Sequence, residues 1–225
     1  MSKYATQEDL DLQNNTATRV PVVLCLDISG SMYDCIGDLN AGVAAFYEAV
    51  RNDEVARDSC EIAIVTFSSD VRVAEDFELV AHKQNPCFSA GGGTDMTGGV
   101  EKALELLEAR KQQYKDNGVE YYQPWLVIMS DGEPNDMSSV NELQQRTKQM
   151  EADKKLTVFG VFIGNDRGKE TLAGFSKRGA MSLKGSNFKD FFEWLGRSVS
   201  IVGQSQKGEN VTLDKDVSGW LDVGI

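Results

Sequence analysis

The sequence has 225 residues, of which 41% are hydrophobic, 26% charged and 8% aromatic, a globular composition that excludes disordered and fibrous classes and suffices for one large α/β domain rather than two. Lys and Arg number 23 against 35 Asp and Glu, and the net charge of -12 repels phosphate backbones and anionic head groups, which argues against nucleic acid and membrane surfaces as partners. The opening MSKYATQEDLDLQNN has no apolar core of the signal-peptide kind, and no apolar run reaches the roughly eighteen residues of a membrane span, so the expected location is cytoplasmic.

Residues 1–18 are polar and read as a flexible N-terminal arm. The run 20–26 (VPVVLCL) is apolar without alternation, the pattern of a central strand covered on both faces, and it ends in Asp27. Ile36, Leu39, Val43, Phe46, Tyr47 and Val50 then recur at helical spacing, predicting an amphipathic helix over 35–51. Residues 60–67 (CEIAIVTF) read as a second strand, and 71–80 as a third joined to it through Ser68-Ser69-Asp70, antiparallel and at the sheet edge. His82, the only histidine, falls on that edge or in the loop beyond it.

Met96, Val100, Ala103, Leu104 and Leu107 form the stripe of a helix that runs to about Tyr114 and is ended by Asn117-Gly118. A buried run, 125–129 (WLVIM), follows. Val140, Leu143, Thr147 and Met150 mark another helix, 156–163 (LTVFGVFI) a strand, Leu172 and Phe175 a short helix, and 180–183 a brief strand. Phe188, Phe191, Phe192, Leu195 and Val199 repeat at i, i+3, i+4, i+7 and i+11, so the last helix packs an aromatic face on the sheet. Alternating strands and helices predict a doubly wound α/β fold: a mostly parallel sheet with one antiparallel edge strand and helices on both faces, spanning 19–200. Residues 201–225 form a tail that mixes charge with Val211, Leu213, Trp220 and Leu221, side chains able to dock on the domain. The four cysteines, Cys25, Cys35, Cys60 and Cys87, are scattered without CxxC spacing and read as reduced thiols.

In an open parallel sheet, ligands bind beyond the carboxyl ends of the strands, where the first strand continues as Asp27-Ile28-Ser29-Gly30-Ser31. The WLVIM strand ends in Ser130-Asp131-Gly132, bringing a second carboxylate to the same edge if the two strands are neighbours. Between them in sequence lies Ala90-Gly91-Gly92-Gly93-Thr94-Asp95, whose glycines allow close backbone approach and let Thr94 present its hydroxyl. The donors are Asp27, Ser29, Ser31, Thr94 and Asp131, all oxygen, which suits Mg²⁺, Mn²⁺ or Ca²⁺ and argues against zinc or copper. Two carboxylates about 5 Å apart repel by roughly 3 kcal/mol at an effective dielectric of about 20, a penalty that a cation between them removes. Asp34, Asp95, Glu133 and Asp136 make the rim more negative still. Glu133 and Asp136 read as solvated turn residues, and Asp95 as an N-terminal helix residue favoured by the dipole.

The D-I-S-G-S run at 27–31, the glycine-rich loop with Thr94 and the S-D-G run at 130–132 resemble the metal-ion-dependent adhesion site of von Willebrand factor A domains over 20–199. That resemblance implies that Ser29 and Ser31 coordinate one divalent cation directly, Mg²⁺ first, and that Asp27, Thr94 and Asp131 bind directly or through water. It implies that Thr94 senses ligation, and that an Asp or Glu of a partner protein takes the open position. Within the family, GGGTDMTGGVEKAL and PWLVIMSDGEPND are most similar to TerY-like proteins associated with tellurium resistance and stress. The cysteine-rich extension of some such members has no counterpart after Cys87.

The resulting expectation is a non-catalytic module that captures an acidic side chain of a partner in a cytoplasmic tellurium or stress-response complex. A serine hydrolase lacks a base near Ser29 or Ser31, since His82 falls elsewhere, and no phosphate-binding Gly-Lys-Ser/Thr loop is present. A Mg²⁺-dependent phosphotransfer or phosphatase-like enzyme using Asp27 is the best catalytic alternative, although it lacks the usual acidic pair and lysine. A metal-free scaffold of the same fold is the other alternative.

Overall fold

In the computed structural model of the chain, which describes residues 12, 14–164, 168–183, 187–205, 213 and 221–223, the unbroken apolar run becomes β1 (Val20–Asp27), buried at every position. The remaining elements are α1 (Ile36–Asn52), α2 (Glu54–Ser59), β2 (Cys60–Phe67), β3 (Val71–Leu79), α3 (Met96–Asn117), β4 (Trp125–Ser130), α4 (Val140–Ala152), β5 (Thr157–Ile163), α5 (Lys169–Ala173), β6 (Ala180–Leu183), α6 (Phe188–Gln204) and β7 (Leu221–Val223). Short 3-10 turns occupy Gly30–Asp34 and Val80–His82. Much of the expected arm (1–11 and 13) and of the expected tail (206–212, 214–220 and 224–225) lies outside the described residues.

The strands form one sheet in the order β3-β2-β1-β4-β5-β6-β7. β2, β1, β4, β5 and β6 run parallel, and β3 closes one edge antiparallel to β2. The doubly wound, mostly parallel sheet expected from the alternation of strands and helices is therefore the fold found. The opposite edge carries β7, three residues antiparallel to β6, too short for any periodicity to announce.

Alternation along β1 explains why its sequence does not alternate. Val22, Leu24 and Leu26 enter one core with α1 and α6, while Val23 and Cys25 enter the other with α3, α4 and α5. The aromatic stripe of α6 is core throughout, Phe188, Phe191 and Phe192 being fully buried. α1 and α6 approach closely at glycines: a Cβ on Gly42 would lie 2.6 Å from Phe192 Cδ2, and one on Gly196 2.8 Å from Ala49 Cβ.

The helix α2 has no counterpart in the sequence reading, because six residues are too few to show a 3.6 period. Its signal was the cap: Asp53 Oδ1 accepts from Ala56 N at 2.8 Å. α3 ends where Asn117-Gly118 predicts, Gly118 adopting φ 67°. At the amino ends of β1 and β2, Glu61 is buried between Arg19 (2.9 Å) and Arg110 (2.7 Å).

Candidate metal centre

Strand order reverses at β1, with β2 and β3 on one side and β4 to β7 on the other, so the crevice beyond β1 and β4 is where an α/β sheet binds ligands. The register runs to Leu26↔Met129, which sets Asp27 beside Ser130 at the end of the ladder. Asp27 is fully buried. Its Oδ1 accepts from Ser29 N at 2.8 Å, a turn that carries the chain away from the strand, and its Oδ2 accepts from Ser130 Oγ at 2.5 Å. Ser29 Oγ and Ser31 Oγ share a hydrogen bond of 3.0 Å, and Ser31 Oγ donates to Asp131 Oδ1 at 2.8 Å. Four of the five oxygen-bearing residues expected from the sequence are thus linked in one series, Asp27, Ser29, Ser31, Asp131.

Thr94 reaches the same edge through its backbone. Gly91 N donates to Ile28 O at 2.8 Å, Gly30 N to Gly92 O at 3.0 Å, Asp95 N to Ser68 O at 2.8 Å and Asn135 N to Thr94 O at 2.9 Å. The glycine-rich loop is therefore stitched to the loops after β1, β2 and β4. Gly92 has φ 84°, and a Cβ there would sit 2.8 Å from Ser69 Oγ, so this position requires glycine. The Thr94 side chain does not join the series: it is 9% exposed, and its hydroxyl makes no hydrogen bond among the described residues.

Burial pushes the Asp27 carboxyl above its usual range, and the Asp131 charge pushes the same way, while the hydrogen bonds from Ser130 and Ser29 pull it down. Cys35 nearby is pushed up to about 11, first by burial and then by Asp131, Asp38 and Asp27. Among the described residues no ion pair compensates Asp27 or Asp131. A negative potential without an internal cation, lined by carboxylates and hydroxyls, fits a hard divalent ion. Among the described residues no group of three or more His, Cys, Asp and Glu could hold a metal, so any ion here depends on the serine and threonine hydroxyls.

The surrounding acids occupy a helix cap and exposed turns. Asp95 caps α3, accepting from Gly98 N at 3.0 Å, and Glu133 and Asp136 are exposed, Asp136 accepting from Ser138 N at 2.8 Å. His82 is exposed in its 3-10 turn, 3.7 Å from Glu78. Sequence reasoning missed Ser130, Ser69 and Asn135. Ser130 lies inside the S-D-G run, but its role depends on the β1–β4 register. Ser69, whose Oγ accepts from Gly93 N at 2.8 Å, and Asn135 belong to no motif.

The family model described as von Willebrand factor type A domain matches residues 22–194. No curated protein matches the sequence. Among solved structures, the pilus adhesin SpaC from Lactobacillus rhamnosus GG is 12% identical, with 82% of this chain and 30% of that chain covered and a TM-score of 0.63. The vWF domain of the type V pili tip protein Mfa5 from Porphyromonas gingivalis is 13% identical, with 87% and 99% covered and a TM-score of 0.59. Proximal thread matrix protein 1 of the mussel byssus, in a structure with a zinc-occupied MIDAS motif, is 15% identical, with 83% and 49% covered and a TM-score of 0.53. The chain therefore spans about half the length of the mussel protein. At such identities the likeness is one of fold. Among the described residues, no helix is long and apolar enough to cross a membrane.

Proposed function

Because the chain belongs to the von Willebrand factor type A domain family, we propose that its sheet-edge oxygen cluster is a metal-ion-dependent adhesion site through which it binds another protein. Ser29 and Ser31 would hold the ion directly, with Asp27, Thr94 and Asp131 binding directly or through water. A bound divalent cation supplies an open coordination position for a carboxylate oxygen of the partner's Asp or Glu. Mg²⁺ is the first candidate and Mn²⁺ and Ca²⁺ the next, while the zinc of the mussel protein makes zinc a competitor to be measured.

The observation that carries the reading is the hydrogen-bonded series from Asp27 through Ser29 and Ser31 to Asp131, with distances of 2.8, 3.0 and 2.8 Å, around carboxylates that no cation neutralises among the described residues. Binding rather than catalysis is favoured because the cluster offers oxygen ligands and, among the described residues, no histidine or lysine hydrogen-bonds to it. The pilus adhesin and tip-protein relatives point the same way. The setting we propose is a cytoplasmic stress-response complex of the tellurium-resistance type. Its support is the TerY-like resemblance of GGGTDMTGGVEKAL and PWLVIMSDGEPND, together with four free cysteines.

Isothermal titration of metal-stripped protein with Mg²⁺, Mn²⁺, Ca²⁺ and Zn²⁺ tests the site. One binding site in the wild type, lost in Asp27→Ala while circular dichroism stays unchanged, is the expected result. Equal affinity in Asp27→Ala, or no binding at millimolar metal, would remove the assignment.

A further inference from the structure

Among the described residues, four large apolar side chains are exposed, and the two most exposed lie in the loops that supply Ser31 and Asp131: Tyr33 at 76% and Met137 at 52%, against Val73 at 38% and Ile201 at 36% elsewhere. Tyr33 lies in the 3-10 turn two residues beyond Ser31, and Met137 in the loop that follows Asp131. The two loops meet at the Ser31–Asp131 hydrogen bond of 2.8 Å. In the first loop the neighbouring Met32 is fully buried, so the turn spends one apolar side chain on the core and leaves the next in solvent. Two such side chains on the loops that carry one polar centre offer a partner apolar anchors beside it.

The same loops are charged with one sign. Segments 28–35, 90–95 and 131–139 contain Asp34, Asp95, Asp131, Glu133 and Asp136, and no Lys, Arg or His. With Asp27 these make six carboxylates, of which a divalent cation offsets two charges. Arg167, next in sequence to the Gly168 that packs on Gly132, offsets at most one more, so a partner whose ligating carboxylate stood alone would approach a surface that still repels it, whereas one carrying a cation beside that carboxylate would be drawn in.

Resting on the metal-site reading, we propose that this rim docks a protein segment in which the ligating Asp or Glu has an apolar neighbour, seated on Tyr33 and Met137, and a Lys or Arg that faces Asp34, Glu133 and Asp136. The metal recognises the carboxylate, and the rim selects which carboxylate-bearing segment is accepted.

Panning a random dodecapeptide display library on the Mg²⁺-loaded protein, with EDTA elution, reads this preference directly. Enriched peptides are expected to contain Asp or Glu, an apolar residue within two positions of it, and Lys or Arg. A synthetic copy of the leading peptide, followed by fluorescence polarisation, should bind Tyr33→Ser and Met137→Ser each about tenfold more weakly. Calorimetric Mg²⁺ affinity should stay unchanged in both variants. Enriched peptides without the apolar and cationic residues, or unchanged peptide affinity in both variants, would overturn the docking proposal. Absence of EDTA-eluted peptides from a protein that calorimetry shows to be metal-loaded would also overturn it and leave the metal site standing. A wild type that takes up no metal removes both.

Discussion

Ser130 illustrates how a site residue can hide inside a motif. It is fully buried at the end of β4 and donates to Asp27 Oδ2 at 2.5 Å, so it holds the carboxylate from the side opposite Ser29. Removing that hydroxyl leaves a buried acceptor without its donor, which costs about 1–3 kcal/mol. If Asp27 holds the proposed ion, a support of this kind behind it is worth roughly 10- to 100-fold in metal affinity. Ser130→Ala is therefore expected to lower both the melting temperature and the Mg²⁺ affinity, measured by thermal unfolding and calorimetry, and Ser130→Thr to restore most of both. A loss of stability with metal affinity untouched would make Ser130 a packing residue only. That Asp27, Ser29, Ser31 and Asp131 share one edge was legible because each lies at or just beyond the carboxyl end of an apolar run that reads as a buried strand. The Ser130–Asp27 contact was not, because it is a property of two strands in register, 103 residues apart.

At the scale of elements, periodicity located the long helices and buried strands, and it failed where an element is short, as in α2 and β7, or where a contact depends on a missing side chain. Gly42 and Gly37 lie in the same helix, and no pattern separates them, yet their surroundings predict opposite effects. A Cβ on Gly42 would stand 2.6 Å from Phe192 Cδ2 and 2.9 Å from Phe188 Cβ, whereas one on Gly37 would meet nothing within 4 Å. Gly42→Val should force α1 away from α6 at a cost of about 1–3 kcal/mol, with only a few tenths of a kcal/mol returned by helix propensity. Gly37→Ala should instead stabilise α1 by up to about 1 kcal/mol. Urea denaturation of the two variants is expected to move the midpoint down for the first and up for the second. Equal shifts would mean that the close approach of α1 and α6 does not constrain the fold.

Across the whole molecule, the two ends of the sheet solve different problems. At the carboxyl ends of β1 and β4, the carboxylates of Asp27 and Asp131 accept hydrogen bonds from serines, and no ion pair neutralises them among the described residues. At the amino ends of β1 and β2, charge is buried and fully paired: Glu61 accepts from Arg19 Nε at 2.9 Å, Arg110 Nε at 2.7 Å and Tyr114 OH at 2.6 Å. Arg19 also donates to the carbonyls of Leu12 at 3.2 Å and Asn15 at 3.0 Å, so the cluster ties β1, β2, α3 and the residues before β1 together. Burial alone would pull the Arg110 guanidinium down, but the charge and hydrogen bond of Glu61 more than reverse this and hold it above its usual value. None of this was visible in CEIAIVTF, where Glu61 looks like an interruption of an apolar strand, because its partners lie 42 and 49 residues away. Glu61→Gln keeps the shape but withdraws the carboxylate charge that two buried guanidinium groups share. Breaking a buried pair in that way costs about 3–5 kcal/mol, a large part of the roughly 5–15 kcal/mol that holds a domain folded. Chemical denaturation should show that loss in full. Calorimetry at 25 °C on the folded fraction should show Mg²⁺ affinity unchanged, since the cluster and the metal site share neither a residue nor a hydrogen bond. If metal affinity fell in step with stability, the two ends would be coupled through β1, and the strand that begins at Val20 and ends at Asp27 would be the element that carries the coupling.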